Sequence, residues 1–204
     1  MRPRSSKVRS GLIVLVAVAS LAIGACSSHS SHSSSVSIPD SAPFNATDVA
    51  FAQGMIPHHS QAIDMADMVP TRSTNPALLA LARQIRAAQD PEIATMTGWL
   101  AAWDQPLPVM GDHSDHDMSS MGSMMMSGMM SAADMDRLEA SSGTAFDRMW
   151  LEMMIEHHEG AVEMARAELA SGKDPAAQQL ARTIIDGQSA EITEMQAMVR
   201  RLPG

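Results

Sequence analysis

A chain of 204 residues, 45% hydrophobic and 18% charged, has the size and apolar content of one ordinary globular domain. Its single Cys excludes an intramolecular disulfide framework and any CxxC zinc site, and a formal charge of −9 argues against nucleic acid as a partner, because phosphate binding needs clustered Lys and Arg. With 20 Met, three Phe, three Trp and no Tyr, the core falls to aliphatics, Ala and Met, a palette that suits helices better than sheets.

The chain begins with a targeting segment. Arg2, Arg4, Lys7 and Arg9 form a basic stretch, and 11–24 is an apolar run too short for a comfortable membrane span. It ends in Leu21-Ala22-Ile23-Gly24-Ala25-Cys26, small residues before a cysteine, as in a bacterial lipobox where the cysteine is lipidated. The alternative is an ordinary secretory signal with an incidental cysteine. Cleavage before Cys26 removes four basic residues and no acidic one, taking the formal charge to −13. The reading is a signal peptide over 1–25 and lipid attachment at Cys26, with the protein on the extracytoplasmic face of the cell membrane. Residues 26–44, rich in Ser and carrying His29 and His32, read as a flexible tether.

A first helical hairpin follows over 45–104. Asn45 or Thr47 caps a helix to about Val69, with a kink at Pro57. Pro70 to Asn75 is the turn, and Asn75-Pro76 opens a second helix to about Trp103, bent at Pro91. A Met- and His-rich loop is expected over 105–133, with a short helix over Ser131 to Glu139. The second hairpin, assigned to 134–204, opens on Thr144 and Asp147, which resemble a capping box, and runs to about Ala170. After the turn Ser171-Gly172-Lys173, Asp174-Pro175 starts a last helix to about Arg201.

The two hairpins are one unit duplicated. At an offset of 99 residues, 51–100 and 150–199 share 17 identities without a gap, against roughly three by chance. Met55-Ile56-Pro57-His58-His59 returns as Met154-Ile155-Glu156-His157-His158, and Gln89, Glu92 and Met96 return as Gln188, Glu191 and Met195. Two repeated antiparallel hairpins predict an all-α fold, a four-helix bundle forming a single domain over 45–204.

Polar residues recur on the inward stripes. Leu81, Ile85, Gln89, Glu92 and Met96 share a helical face, as do Met55, His58, Ala62 and Met65 with His59 flanking, and the repeat duplicates both sets. Hairpin geometry puts the His pairs level with the Gln and Glu pairs, predicting a buried layer of up to four imidazoles and two carboxylates. His58, His59, His157, His158, Glu92, Glu191, Met55 and Met154 are candidate metal ligands, and Gln89 and Gln188 candidate supports for them. Adjacent His on a straight helix point about 100° apart, so one of each pair can ligate while the other supports. The competing reading is a metal-free hydrogen-bonded layer that fixes the bundle register.

Between the hairpins, nine Met fall within 110–135 among Gly and Ser, with no helical or strand period. Met118, Met121, Met124, Met125, Met126, Met129 and Met130 offer neutral thioethers, which select Cu(I) and Ag(I), and His113 and His116 beside Asp112, Asp115 and Asp117 offer donors for Cu(II). The alternatives are a sticky partner surface and an oxidant-scavenging tract.

Gly54-Met55-Ile56-Pro57-His58-His59 and Met153-Met154-Ile155-Glu156-His157-His158-Glu159-Gly160-Ala161 make the chain resemble the ferritin-like domain-of-unknown-function 305 family, over about residues 45–201. The resemblance implies a ferritin-like four-helix bundle, secreted or lipid-anchored in a bacterium; some members are associated with copper tolerance. An Ala- and Arg-rich chain with a Ser/Ala-rich signal suits an actinobacterium. The leading expectation is a lipid-anchored protein that sequesters copper as Cu(I), or Ag(I), with metal ions and the membrane as partners and a homo-oligomer allowed. A metal-dependent oxidase on the same bundle, and a metal-free envelope interaction module, are the other readings. No nucleophile arrangement or phosphate-binding loop is present among the motifs.

Overall fold

A computed structural model describes residues 38–108 and 127–203, and these fold chiefly as helices. The expected signal peptide and lipidation site at Cys26, and His113, His116, Met118, Met121, Met124, Met125 and Met126, lie outside the described residues. The helices are α1 (Ala46–Arg72), α2 (Pro76–Ala102), α3 (Ala132–Ala140), α4 (Gly143–Ser171) and α5 (Pro175–Val199), with no strand among the described residues. α1 packs on α2, α4 packs on α5, and the hairpins meet through α1 and α4. The all-α architecture of two repeated hairpins stands as the sequence predicts.

Caps set most of the boundaries. The Asn45 side chain accepts the Thr47 and Asp48 N–H groups, and Asp48 accepts the Asn45 N–H in return. Asn75 and Asp174 cap α2 and α5 with Pro at the first helical position, and Ser131 and Asp134 form a capping box on α3. The expected capping box on α4 is not there: Ser142 occupies the cap without a side-chain bond, and Asp147 is buried instead, with Oδ1 unpartnered. α1 also runs past its expected end at Val69. Proline at position 70 already has a helical φ, and the Ser73 N–H reaches Val69 O at 2.9 Å to close the last turn.

The core has two apolar clusters. One gathers Met65, Leu78, Ile85, Leu138, Phe146 and Trp150; the other gathers Phe51, Met96, Leu100, Met164, Ala177 and Ile184. Trp150 is fully buried in α4 and donates Nε1–H to Met65 O in α1 at 2.8 Å, tying the hairpins together. The expected tether ends before residue 44: Phe44 is buried and stacks on Trp103 with ring centroids 4.7 Å apart. An aromatic ring that finds an apolar partner does not stay in solvent. Likewise the expected loop stops short of residue 133, because α3 begins at Ala132.

Candidate metal centre

The four repeated histidines sit at the seam between the two apolar clusters. On α1 they lie between Met55 and Ala62, which belong to different clusters; on α4 they lie between Met154 and Ala161, which belong to the same two in the opposite order. His58, His59 and His158 are fully buried, and His157 is 1% exposed. Antiparallel packing of α1 on α4 therefore brings the two His pairs to one level.

Within each pair the rings diverge, as the helix twist requires. His59 and His158 turn toward the second helix of their own hairpins. His59 Nε2 lies 2.7 Å from Glu92 Oε2, and His158 Nε2 lies 2.8 Å from Glu191 Oε2, so the duplicated sequence makes a duplicated contact. His58 and His157 turn toward each other, with ring centroids 3.8 Å apart and planes tilted by 42°. His58 Nε2 donates to Ser127 O at 3.1 Å, while neither nitrogen of His157 has a hydrogen-bond partner. The Nδ1 atoms of His58, His59 and His158 are also unpartnered.

His58, His157 and His158 are neutral at ordinary pH. Burial pushes His58 down to about 3, helped by the neighbouring His59 and opposed by the Ser127 carbonyl. Burial also lowers His157, with the other imidazoles adding to it, and lowers His158 against the pull of Glu191. A neutral imidazole whose Nε2–H is held by a carbonyl or carboxylate presents Nδ1 as a lone pair, the arrangement that second-shell acceptors impose on metal-binding histidines. Four buried imidazoles with unpartnered nitrogens thus fit a soft cation as donors.

The expected layer of four imidazoles and two carboxylates is present as three paired contacts. Among the described residues, no three His, Cys, Asp or Glu side chains group around one ion position. Glu92 and Glu191 each turn one oxygen to a histidine of their own hairpin. Gln89 and Gln188 support no imidazole; they line a cavity of about 100 Å³ between α2 and α5 with Glu92 and Glu191, and both polar atoms of Gln89 and Oε1 of Gln188 lack partners. Met55 and Met154 are fully buried, one helical turn from His58 and His157. Met130 is corrected from loop ligand to core residue: it is 8% exposed and packs in the Trp150 cluster, with Met129 half-buried beside it.

Sequence reasoning missed the groups that bring this segment onto the bundle. Gln61 binds the Met130 backbone with both ends of its amide, Nε2 to the carbonyl at 2.9 Å and Oε1 from the N–H at 2.8 Å. The Ser127 hydroxyl donates to Glu163 at 2.6 Å. The one signal available was a repeat mismatch. Gln61 and Gly160 stand 99 residues apart, at equivalent positions beside the His pairs, yet differ completely.

The sequence pattern of the domain of unknown function DUF305 matches residues 48–199. A DUF305 fragment from Deinococcus radiodurans is 32% identical, with 79% of this chain and 100% of that one covered and a TM-score of 0.67. A DUF305 protein from Streptomyces coelicolor is 33% identical over 74% and 91% of the two chains, at 0.65. CopM in its Cu(I)-bound form is 32% identical over 78% and 100%, at 0.63, and has also been solved with Cu(II), with Ag and without metal. No curated protein matches the chain.

Proposed function

The chain belongs to the DUF305 family, and we propose that it binds Cu(I) or Ag(I) as a lipid-anchored protein on the extracytoplasmic face of a bacterial membrane. One observation carries the reading: His58 and His157 are buried, neutral and in ring contact, and among the described residues no other side chain binds either nitrogen of His157. Two unpaired polar atoms on one fully enclosed ring are costly unless something else binds there.

The donor chemistry selects the ion. Imidazole nitrogen with thioether sulfur nearby favours a soft monovalent cation that accepts few ligands, and among the described residues the carboxylates of Glu92 and Glu191 turn to His59 and His158, not to the pair, which disfavours a hard divalent one. The copper- and silver-bound forms of CopM support the same reading. The methionine segment is the second part of the proposal: Met118, Met121, Met124, Met125 and Met126 supply further thioethers. Attachment through a lipid on Cys26 rests on the basic stretch, the apolar run and the small residues before the cysteine.

The test is a titration of the purified protein with Ag(I), and with Cu(I) under reductant, read as stoichiometry and affinity. His58→Ala with His157→Ala removes one bound ion, and deletion of 110–126 removes others. That deletion stops at 126 because Ser127 to Met130 belong to the bundle. Unchanged stoichiometry in the double variant overturns the bundle site, and unchanged stoichiometry in the deletion overturns the segment.

A further inference from the structure

The end of the methionine segment is seated in a socket built from both halves of the repeat. Gln61 on α1 satisfies the Met130 backbone N–H and carbonyl, both out of solvent. On α4, the absence of a side chain at Gly160 lets another backbone touch it: a Cβ there would lie 2.0 Å from Ser127 O and 2.8 Å from Gly128 Cα. Gly128 completes the approach with φ +76°, and a Cβ on it would lie 2.6 Å from Glu156 O. Ser127 Oγ is tied to Glu163. The segment is fixed at three points within four residues.

What the socket delivers is a carbonyl. Ser127 O faces His58 Nε2 at 3.1 Å, and a carbonyl can only accept, so the ring proton must be on Nε2. Glu92 and Glu191 impose the same tautomer on His59 and His158. His58 has no carboxylate of its own, and its acceptor is brought in from outside the repeat.

We infer that Gln61 and Gly160 are positioning residues which hold the Ser127 carbonyl on His58, so that Nδ1 of that ring is kept as a lone pair for the soft cation. The inference rests on the metal reading proposed above, but its first half concerns the metal-free ring. Docking of the segment and ion affinity at the His58–His157 pair are then coupled: an ion held by His58 tightens the docking of Ser127, and undocking weakens the ion.

Long-range 1H–15N correlation of the histidine rings in the metal-free full chain reads the tautomer directly, followed by Ag(I) affinity by competition. Gly160→Ala drives a methyl into Ser127 O, and Gln61→Ala releases Met130 by a different route should the first variant fail to fold. In the wild type, His58 is Nε2–H. In either variant His58 becomes a mixture of tautomers, His158 on Glu191 stays Nε2–H as the internal control, and Ag(I) affinity falls about 10- to 100-fold. The inference is overturned if His58 remains Nε2–H in a folded variant whose Ser127–Met130 amides exchange freely, or if the tautomer is lost with no change in affinity. A wild type that takes up no Ag(I), with a His58 tautomer that still responds to the variants, refutes the metal reading and leaves the positioning of His58 standing.

Discussion

Glu168 stands where the first hairpin has Val69, and it is as buried as that valine, with no solvent exposure. Burial is the main cause that raises its carboxyl from 4.5 to about 8, and Asp48 and then Asp174 push it further in the same direction. Asp48 cannot move away. Its carboxylate accepts the backbone N–H groups of Asn45, Lys173 and Asp174, joining the start of α1 to the α4–α5 turn. The Lys173 ammonium at this turn is held by the carbonyls of Asp40 and Ala42. The folded protein therefore binds a proton on Glu168 that the unfolded chain releases at lower pH. Stability from this group is complete below pH 4.5 and is lost as pH rises through about 8.

At about 1.4 kcal/mol per pH unit, the limit of this loss is on the order of 5 kcal/mol, and about 3 kcal/mol of it is already gone at pH 7. Glu168→Gln keeps the shape and a donor for Asp48 but cannot ionise. Urea melts of wild type and variant across pH 5 to 8 isolate the effect, because every other titrating group cancels in the difference. The variant gains on the wild type as pH rises, by about 3 kcal/mol at pH 7, and the advantage shrinks toward zero near pH 4.5. A difference that is constant across this range, or one that grows on acidification, refutes the reasoning.

The histidine layer drives stability the other way. His58 folds with its proton affinity lowered from 6.5 to about 3, so its contribution is complete above pH 6.5 and drains on acidification; His58→Gln should reduce the loss between pH 7.5 and 5 by about 2 kcal/mol in the same melts. For the same reason, Ag(I) affinity at the His58–His157 pair should stay level between pH 7.5 and 5 by competition titration, where exposed imidazoles would lose it below 6.5. Trp150→Ala empties the largest buried position and removes the bond to Met65 O, and urea melts at neutral pH should show a loss of about 3–5 kcal/mol. Asp48→Asn removes a charge from beside Glu168, so that carboxyl is raised less and the alkaline loss should be smaller and level off at lower pH than in the wild type, read from the same pH series.

The fold was legible because the sequence states it twice. A gapless repeat with Asn-Pro and Asp-Pro helix starts at matching positions leaves little freedom in the number, length or pairing of helices. The level of the His pairs followed from hairpin arithmetic and is where the structure has them. Orientation did not follow. Stripe analysis places residues on a face but cannot tell a ligand from a ligand holder, so Glu92 and Glu191 read as donors to an ion when their closest partners are His59 and His158. Composition misled at Met130, which resembles its neighbours in the methionine run and differs only in that Gln61 binds its backbone.

The informative positions are those where the two halves disagree. Identical positions such as His58 and His157, or Glu92 and Glu191, build the symmetric layer. A symmetric layer alone would give His58 and His157 the same surroundings, yet among the described residues only His58 has the Ser127 carbonyl on Nε2. The difference arises at Gln61 and Gly160, where one half supplies an amide and the other supplies space, so that a single strap can be bound across two equivalent helices. Val69 and Glu168 break the repeat at the far end of the same helices, and there the change puts a protonatable group into an apolar position. The duplication thus accounts for the bundle and the imidazole layer. The departures from it account for how the methionine segment is joined to that layer and for the group whose proton the fold must keep.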